Sequence, residues 1–320
     1  MEANPYSNMT KFLFFGDWHL TDKENGLFFN GHLKLMKWVE ERYDPSNTIL
    51  LFSGDVFHKV IINYDNVKTP FVNWLLKFKA IHIIEGNHDR KKDIGSPLTE
   101  IGLHSNITIY KEEVLNVNIE GYTFDFFPFL KEDPSSMIRY EDYTGNADFG
   151  IIHAHPKGYN RGIEEITLKR KYKHGLFYGH YHRPDQVTKN SWTIGVPQTT
   201  RNGEQDWAKR MFVFDGSKLE SVELPVYFNI GTIQYGEKIV NKDWIYNIEN
   251  APSMVSINDK YKGVTINRCK VSIKESINDK VLDHKIQSET NDWHITYEQC
   301  IEHRGQALRE DVHKKVMSIL

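Results

Sequence analysis

The chain has 320 residues, with 40 basic and 43 acidic side chains and a formal net charge of −3 at pH 7. This balance excludes a protein that holds nucleic acid by a globally basic surface, so any DNA binding must come from local patches or from a partner subunit. Two cysteines, no apolar run near the roughly 18 residues that span a bilayer, and no signal-peptide layout at the start predict a cytoplasmic protein without membrane contact.

Short apolar runs, bounded by glycine or polar residues, recur along the first 225 residues. They are largely apolar on both faces, which is typical of strands buried within a sheet. The predicted strands cover residues 12–15, 48–52, 81–84, 149–152, 176–178 and 212–214. Because segments with helical spacing separate the first three runs, the predicted fold class is α/β.

Two helices are predicted between these strands. Leu35 and Val39 lie on one apolar face of the first helix. Thr69 followed by Pro70 is the expected N-cap and first turn of the second helix, which we expect to run to about residue 78. The alternation of strand and helix indicates βαβ units, with the helices outside a layered sheet core.

The character of the sequence changes near Pro225. From there on, strand-like alternation is mixed with polar loops rich in Asn, Lys and Asp. We therefore predict a large domain at residues 1–225 and a small α+β capping or DNA-binding domain at residues 226–320. Residues 307–320 have apolar side chains at helical spacing, which predicts a helix that packs on its own domain or binds a partner protein.

Metal-ligand residue types follow the ends of five predicted strands. The motifs are Gly16-Asp17-Trp18-His19, Gly54-Asp55-Val56-Phe57-His58, Gly86-Asn87-His88-Asp89, His153 and Gly179-His180-Tyr181-His182. One Asp-x-His or His-x-His alone is a weak signal, but five such motifs in this order and context are specific. Because loops at the carboxyl ends of strands converge on one crevice, we expect these side chains to meet there.

The chemistry of these side chains points to divalent metal ions. Carboxylate and amide oxygens combined with imidazole nitrogens favour manganese, iron or zinc over calcium, which prefers oxygen ligands alone. Two such ions about 3.5 to 4 Å apart can activate a water and clamp a phosphoryl group for in-line displacement. The predicted reaction is therefore hydrolysis of a phosphate ester.

The five motifs resemble those of the calcineurin-like metallophosphoesterases, which implies an α/β/β/α sandwich. Within that superfamily they are most similar to the SbcD nucleases, or meiotic recombination eleven family, and to their phage recombination endonuclease branch. The segment 194–198, with Gly203-Glu204 after it, resembles that family's Gly-x-Pro strand and loop. Serine/threonine phosphatases of the superfamily have Asp where this chain has His58 and Glu where it has Asp89, so the phosphatase branch is disfavoured.

The resemblance implies seven metal ligands and three catalytic residues. The ligands form two groups that share one bridging carboxylate, namely Asp17, His19 and His182 for one ion, Asn87, His153 and His180 for the other, and Asp55 between them. His88 would face the phosphate as a transition-state stabiliser or as the acid for the leaving 3′ oxygen, with Asp89 orienting it and His58 positioning the DNA phosphate.

The resembled family also implies an activity and partners. Its members act as manganese-dependent 3′–5′ exonucleases and single-strand endonucleases on DNA ends in double-strand break repair and recombination. They work as homodimers with an SbcC-type coiled-coil ATPase. The resemblance therefore implies two divalent ions, Mn²⁺ first with Fe²⁺ or Zn²⁺ as alternatives, DNA and the ATPase as partners, and a bacterial cytoplasm or phage-infected cell as the location.

Three further points stay open from the sequence. Lys169, Arg170, Lys171 and Lys173 form a basic run that is either a set of phosphate contacts beside the crevice or a solvated loop. A phosphodiesterase or phosphatase acting on small nucleotides is the alternative enzyme. A scaffold that tethers DNA or regulates an ATPase is a third hypothesis, and the complete ligand set argues against it.

Overall fold

The chain folds into two units in a computed structural model, Met1–Phe228 and Asn229–Leu320. The residues that the structure describes are 9–22, 26–59, 64–90, 95–130, 134–159, 165–201, 203–239, 244–251, 260–262, 264–273 and 282–287. Within them, no helix is long and apolar enough to cross a membrane.

The described part of the first unit alternates strands and helices before it becomes all strand. In chain order its elements are β1 (Lys11–Phe15), α1 (Leu27–Arg42), β2 (Thr48–Phe52), α2 (Thr69–Leu75), β3 (Ala80–Ile84), α3 (Leu98–Ile101), β4 (Ile107–Tyr110), β5 (Val114–Ile119), β6 (Tyr122–Phe127), β7 (Asn146–His153), β8 (His155–Pro156), β9 (Glu165–Ile166), β10 (Lys171–Gly179), β11 (Asp185–Thr188), β12 (Ser191–Thr193), β13 (Arg210–Phe214) and β14 (Leu219–Glu223).

Two six-stranded sheets are built from these described strands. The first has the order β14-β13-β1-β2-β3-β4, in which β1 to β4 are parallel and β13 is antiparallel to both of its neighbours, β1 and β14. The second has the order β11-β12-β10-β7-β6-β5, with four parallel strands between the antiparallel β11 and β5. The short β8 and β9 pair separately.

The side chains of β1 show how the layers form. Successive side chains of a strand point to opposite faces, so Leu13 and Phe15 pack in a core shared with α1 and α2. Phe12 and Phe14 pack instead in a second core between the two sheets. Phe14 lies against Phe177 of β10, with ring centroids 4.2 Å apart. Both faces of this strand are therefore buried, as its continuous apolar run predicts.

The outer face of the second sheet is covered by a 3₁₀ segment, Pro134–Asp142. Its Met137 and Tyr140 are fully buried in a third apolar core. The layers are thus helix, sheet, sheet and 3₁₀ helix, which confirms the predicted mixed α/β fold with parallel sheets. In the described residues, this 3₁₀ segment stands where the resemblance implied an outer α-helical layer.

The predicted start of the second helix is wrong in one detail. Thr69 is the first residue of α2 and not its N-cap, because a π-helical turn, Tyr64–Lys68, runs directly into the helix. Lys68 already has helical backbone angles, φ −66° and ψ −50°. The helix also ends at Leu75, a few residues before the predicted end.

The second unit contains a four-stranded sheet. Its described strands are β15 (Ile230–Gln234), β16 (Ile245–Ala251), β17 (Thr265–Ile273) and β18 (Leu282–Gln287), in that order and with only β18 antiparallel. Tyr246 and Ile248 are buried in its apolar core. The predicted helix at residues 307–320 lies outside the described residues.

The unit boundary falls three residues after the predicted one at 225. Gln198 explains the difference, because its side-chain oxygen accepts hydrogen bonds from the backbone N–H groups of Tyr227 and Phe228, at 2.9 and 3.0 Å. Phe228 also packs on Phe28 of α1, with ring centroids 4.4 Å apart. These contacts attach residues 227 and 228 to the first unit.

His32 of α1 makes the stability of the fold depend on pH. Its ring is buried, and burial lowers the pKa of His32 to about 4. Because the folded pKa lies below the ordinary value of 6.5, the neutral ring contributes stability that is present above pH 6.5 and is lost as the pH falls toward 4. Between pH 7 and pH 5, the unfolding free energy of the unchanged chain should fall. That of His32→Gln should fall by about 2 kcal/mol less. Urea unfolding at both pH values measures this, and equal losses in the two proteins would contradict it.

Candidate metal centre

The polar side chains of the five motifs follow five strands drawn from both sheets. In chain order, β1 is followed by Asp17 and His19, β2 by Asp55 and His58, and β3 by Asn87, His88 and Asp89, while β7 ends in His153 and β10 is followed by His180 and His182. Parallel strands that end at the same edge bring their loops together. All ten residues singled out from the sequence lie in this one site.

Asp17, His19 and His182 form a first group of potential ligands, whose donor atoms lie within 4.8 Å of one another. The Nε2 atoms of His19 and His182 are 2.9 Å apart. Asp17 Oδ2 lies 3.8 Å from His182 Nε2 and accepts a 2.8 Å hydrogen bond from the backbone N–H of His180. Three donor atoms therefore converge on one point, as a single cation requires.

Asn87, His153 and His180 form a second group. Asn87 Oδ1 lies 2.9 Å from His153 Nε2 and 2.8 Å from His180 Nδ1. His153 Nδ1 lies 2.7 Å from the backbone oxygen of Ser53. Because a carbonyl only accepts, Nδ1 bears the hydrogen and Nε2 keeps a lone pair directed at Asn87.

Asp55 stands between the two groups. Its Oδ2 lies 3.5 Å from His19 Nε2, and its Oδ1 lies 3.6 Å from His153 Nε2. The side chain is buried, and its Oδ1 also accepts a 2.7 Å hydrogen bond from the backbone N–H of His88. One carboxylate thus faces both groups, which is the position that a bridging ligand needs.

Three of these side chains are held by unusual backbone geometry. His19, Asp55 and His180 have positive φ angles of 45°, 48° and 74°, a region that costs a non-glycine residue about 1 to 2 kcal/mol. Hydrogen bonds between the loops offset this cost. In one of them, the backbone N–H of His19 donates to the backbone oxygen of Asp55 at 2.9 Å. Strained residues of this kind concentrate at functional sites.

The glycines of the motifs permit the close approach of these loops. Gly54 has φ +98°, and a Cβ atom there would lie 2.3 Å from His153 Nδ1. A Cβ atom at Gly86 would lie 2.2 Å from Asp55 Oδ1. Any side chain at either position would displace a candidate ligand, which gives a physical reason for glycine before these residues.

Burial governs the protonation of the site. It raises the pKa of Asp17 well above its usual value, helped by the charge of Asp55, and raises the pKa of Asp89 to about 8. Burial, with the neighbouring His182, lowers the pKa of His19 well below its usual value, and burial lowers that of His153 to about 3. The imidazoles of His19 and His153 are therefore neutral, which is the form that binds metal, and the crowded carboxylates would gain from a cation.

An unpartnered buried atom and the chemistry of the donor atoms also fit divalent metal ions. Asp17 Oδ1 is a buried atom without a hydrogen-bond partner among the described residues. Buried polar atoms are rarely left without a partner unless the site serves a function. Carboxylate, amide and imidazole donors without a thiolate suit manganese, iron or zinc. The two groups and Asp55 would hold two such ions.

His88 and His58 line the same site beside the first group. The ring of His88 lies 4.8 Å from that of His19, and the rings of His58 and His88 are stacked with centroids 5.6 Å apart. His88 Nδ1 lies 3.0 Å from the backbone oxygen of His58, so Nδ1 donates there. The Nε2 atom of the partly exposed His88 is therefore the one left to meet a substrate.

The predicted orientation of His88 by Asp89 needs a correction. Asp89 is fully buried, and its two oxygens accept hydrogen bonds from the backbone N–H groups of Phe57 and Gly86, at 3.0 and 2.9 Å. These bonds tie together the loops after β2 and β3. In the described structure, the carbonyl of His58 orients the His88 ring, and Asp89 acts on it only through the backbone.

The basic run does not lie beside the site. Arg170 is buried in an ion pair with Asp125, and Lys169 pairs with Asp142 at 3.1 Å. Lys171 and Lys173 lie at the start of β10, whose far end leads into the site. At about 3.3 Å per residue, they are roughly 20 Å or more from it. Of the two alternatives left open for this run, phosphate contacts beside the crevice are not what the structure shows, and Arg170 is buried rather than solvated.

One residue of the site has no assigned role in the five motifs. Glu204, in the loop between β12 and β13, is fully buried, and its Oε1 lies 2.5 Å from His182 Nδ1. No spacing rule identifies it, because it lies 22 residues beyond His182 in a segment without helix or strand. The only signal was its place in the Gly203-Glu204 segment of the family resemblance.

The comparisons with known proteins agree with this chemistry. The model of the calcineurin-like phosphoesterase family matches residues 10–184, more than half of the chain. A protein of Vesicomyosocius okutanii named "Probable cyclic nucleotide phosphodiesterase" is 29% identical over 103 residues, 32% of this chain and 42% of that protein. The chain thus matches less than half the length of that relative.

One solved structure is distantly similar. The 5′-nucleotidase precursor of Thermus thermophilus superposes with a TM-score of 0.34 at 13% sequence identity, over 68% of this chain and 54% of that one.

Proposed function

Because this chain belongs to the calcineurin-like phosphoesterase family, we propose that it is a two-metal phosphodiesterase that cuts DNA. One observation carries the proposal. His88 directs a ring nitrogen into a site where two groups of metal-ligand side chains share the carboxylate of Asp55. A histidine in that position suits hydrolysis of a phosphate ester, whose alkoxide leaving group needs a proton.

Each residue has a distinct task in this proposal. The two ligand groups and Asp55 would hold two divalent ions, which would supply an activated water and positive charge beside the phosphoryl oxygens. His88 holds a proton at Nε2 and donates it to the leaving oxygen, while the His58 carbonyl fixes its ring through Nδ1. The buried His19 and His153 stay neutral and keep their lone pairs for metal. His58, stacked on His88, is placed to contact the phosphate.

DNA is proposed as the substrate on the strength of the motifs after β1, β2, β3 and β10, which resemble those of the SbcD nucleases. Small nucleotide diesters are the second candidate, and here a named relative gives support: the matching protein of Vesicomyosocius okutanii is named for cyclic nucleotides. Both candidates use the same in-line chemistry at the same residues.

One assay separates the two substrate classes. Purified full-length protein is incubated with labelled duplex DNA, single-stranded circular DNA and a cyclic nucleotide, each with Mn²⁺, Mg²⁺ or a chelator. Metal-dependent cutting of either DNA supports the nuclease, whereas turnover of the cyclic nucleotide with both DNAs intact supports the second candidate. Failure on all three substrates would overturn the phosphodiesterase proposal.

We also extend the resembled family's manganese preference, its homodimer and its SbcC-type ATPase partner to this chain as proposals. The predicted partner helix at residues 307–320 lies outside the described residues, so the proposed partnership rests on the motifs alone. Adding such an ATPase to the DNA assay tests it directly. A higher rate of cutting supports the partnership, and an unchanged rate contradicts it.

A further inference from the structure

Glu204 joins the candidate metal centre through a hydrogen bond that the seven predicted ligands do not account for. We infer that Glu204 is a positioning residue, which fixes the tautomer of His182 so that Nε2 of that ring is left to bind a metal ion. The inference rests on the proposed metal centre. It concerns the hydrogen on one ring and not the identity of the substrate.

The geometry of Glu204 favours a carboxylate that accepts on both sides. Oε1 lies 2.5 Å from His182 Nδ1 and 3.0 Å from the Nε donor of Arg201. Oε2 accepts from the backbone N–H of Thr200 at 2.8 Å, from its hydroxyl at 2.9 Å and from the Arg201 N–H at 3.2 Å. Each of the other hydrogen-bond partners that the structure describes for this buried carboxylate is a donor, so His182 must place its hydrogen on Nδ1.

The hydrogen on Nδ1 decides what the rest of the ring can do. A neutral imidazole has one N–H and one lone pair, so His182 keeps its lone pair on Nε2. That atom lies 2.9 Å from His19 Nε2 and 3.8 Å from Asp17 Oδ2. A carboxylate behind a metal-binding histidine commonly fixes both the tautomer and the ring orientation.

The loop that holds Glu204 is itself well anchored. Lys209 is buried and donates a 2.9 Å hydrogen bond to the backbone oxygen of Glu204. At the other end of the loop, the buried Gln198 donates to the Pro197 and Pro225 oxygens, at 2.7 and 2.8 Å. These contacts fix the carboxylate in position before a metal ion arrives.

Glu204→Gln tests the inference with almost no change in size. The three donors on the Oε2 side require an oxygen there, so the amide nitrogen of the glutamine must face His182. It would donate to Nδ1 and move the ring hydrogen to Nε2, which removes the lone pair from the metal position. We expect the affinity of one of two Mn²⁺ sites to fall by about 10- to 100-fold.

Two measurements on the full chain provide the readout. Titration calorimetry with Mn²⁺ gives the affinity of each site, and ¹⁵N NMR of the histidine rings without metal gives the tautomer of His182. Arg201→Ala is the matched control: Arg201 is exposed and donates to Glu204, and it has no hydrogen bond to His182 in the described structure. This variant should keep the His182 tautomer and both affinities.

The outcomes separate this inference from the proposed function. Unchanged Mn²⁺ affinity in Glu204→Gln, or an Nε2–H tautomer of His182 in the unaltered chain, would overturn the role of Glu204. The measurement on the unaltered chain keeps the test decisive even if Glu204→Gln does not fold. Neither readout depends on the substrate, so a failure to cut DNA would count against the nuclease proposal alone.

Discussion

His88→Ala should lower the rate of phosphodiester cleavage by about 100- to 10,000-fold, the usual contribution of a positioned acid or base. The substitution removes the ring that directs Nε2 into the site, while the backbone N–H of residue 88 can still donate to Asp55 Oδ1. Because His88 belongs to neither of the two proposed ligand groups, the variant should still bind Mn²⁺. Single-turnover cleavage and metal titration measure the two effects.

A matched histidine controls for the substitution itself. His104 is exposed and lies outside the site, so His104→Ala should cut at the native rate. His88 also lies within ligand distance of His19 and His58, which gives the experiment a second use. If His88→Ala lost a metal ion, its role would be that of a ligand; if it cut at the native rate, it would have no role in the reaction.

Asp55→Asn is expected to abolish cleavage, with a loss of about 1,000-fold or more, because bound metal supplies several kcal/mol of the barrier reduction and each 1.4 kcal/mol is about tenfold in rate. Asp55 faces an Nε2 atom of each group, with oxygens 3.5 Å from His19 Nε2 and 3.6 Å from His153 Nε2. Asparagine keeps the shape and removes the charge, so the Mn²⁺ content should fall.

Thermal unfolding shows whether Asp55→Asn is folded. Burial raises the pKa of Asp55 above its usual value, so the ionised carboxylate destabilises the metal-free fold at pH 8, and stability is lost as the pH rises through that pKa. Without metal at pH 8, the variant should therefore melt at the same or a higher temperature than the native chain. Mn²⁺ should raise the melting temperature of the native chain alone, and an equal rise in both would contradict the bridging role.

The parts of the fold that the sequence predicts are those that are buried on both faces. β2 occurs at the predicted residues and β1 begins one residue earlier than predicted, because continuous, mostly apolar runs have few alternatives to a buried strand. β5 and β14 were not predicted. Each is an edge strand with exposed positions, so its stability comes from pairing with a neighbour that a local pattern does not reveal.

In the candidate site too, local patterns predict some features, whereas others depend on contacts between distant parts of the chain. The ligand types at strand ends were identified because each follows a buried strand and all except His153 follow a glycine, and both features are visible locally. The roles of Asp89, Arg170 and Glu204 depend on partners between 22 and 45 residues away in the chain, such as Phe57, Asp125 and His182. Spacing alone does not reveal such tertiary contacts. Arg170 lies in a basic run that is typical of a protein surface, but its side chain is buried in an ion pair with Asp125.

Anomalous diffraction from crystals grown with Mn²⁺ tests the two-metal centre most directly. We predict two peaks about 3.5 to 4 Å apart, one bound by Asp17, His19 and His182, the other by Asn87, His153 and His180, with Asp55 reaching both. A single peak, or two peaks of which neither contacts Asp55, would contradict the two-metal centre and with it the proposed phosphodiesterase mechanism.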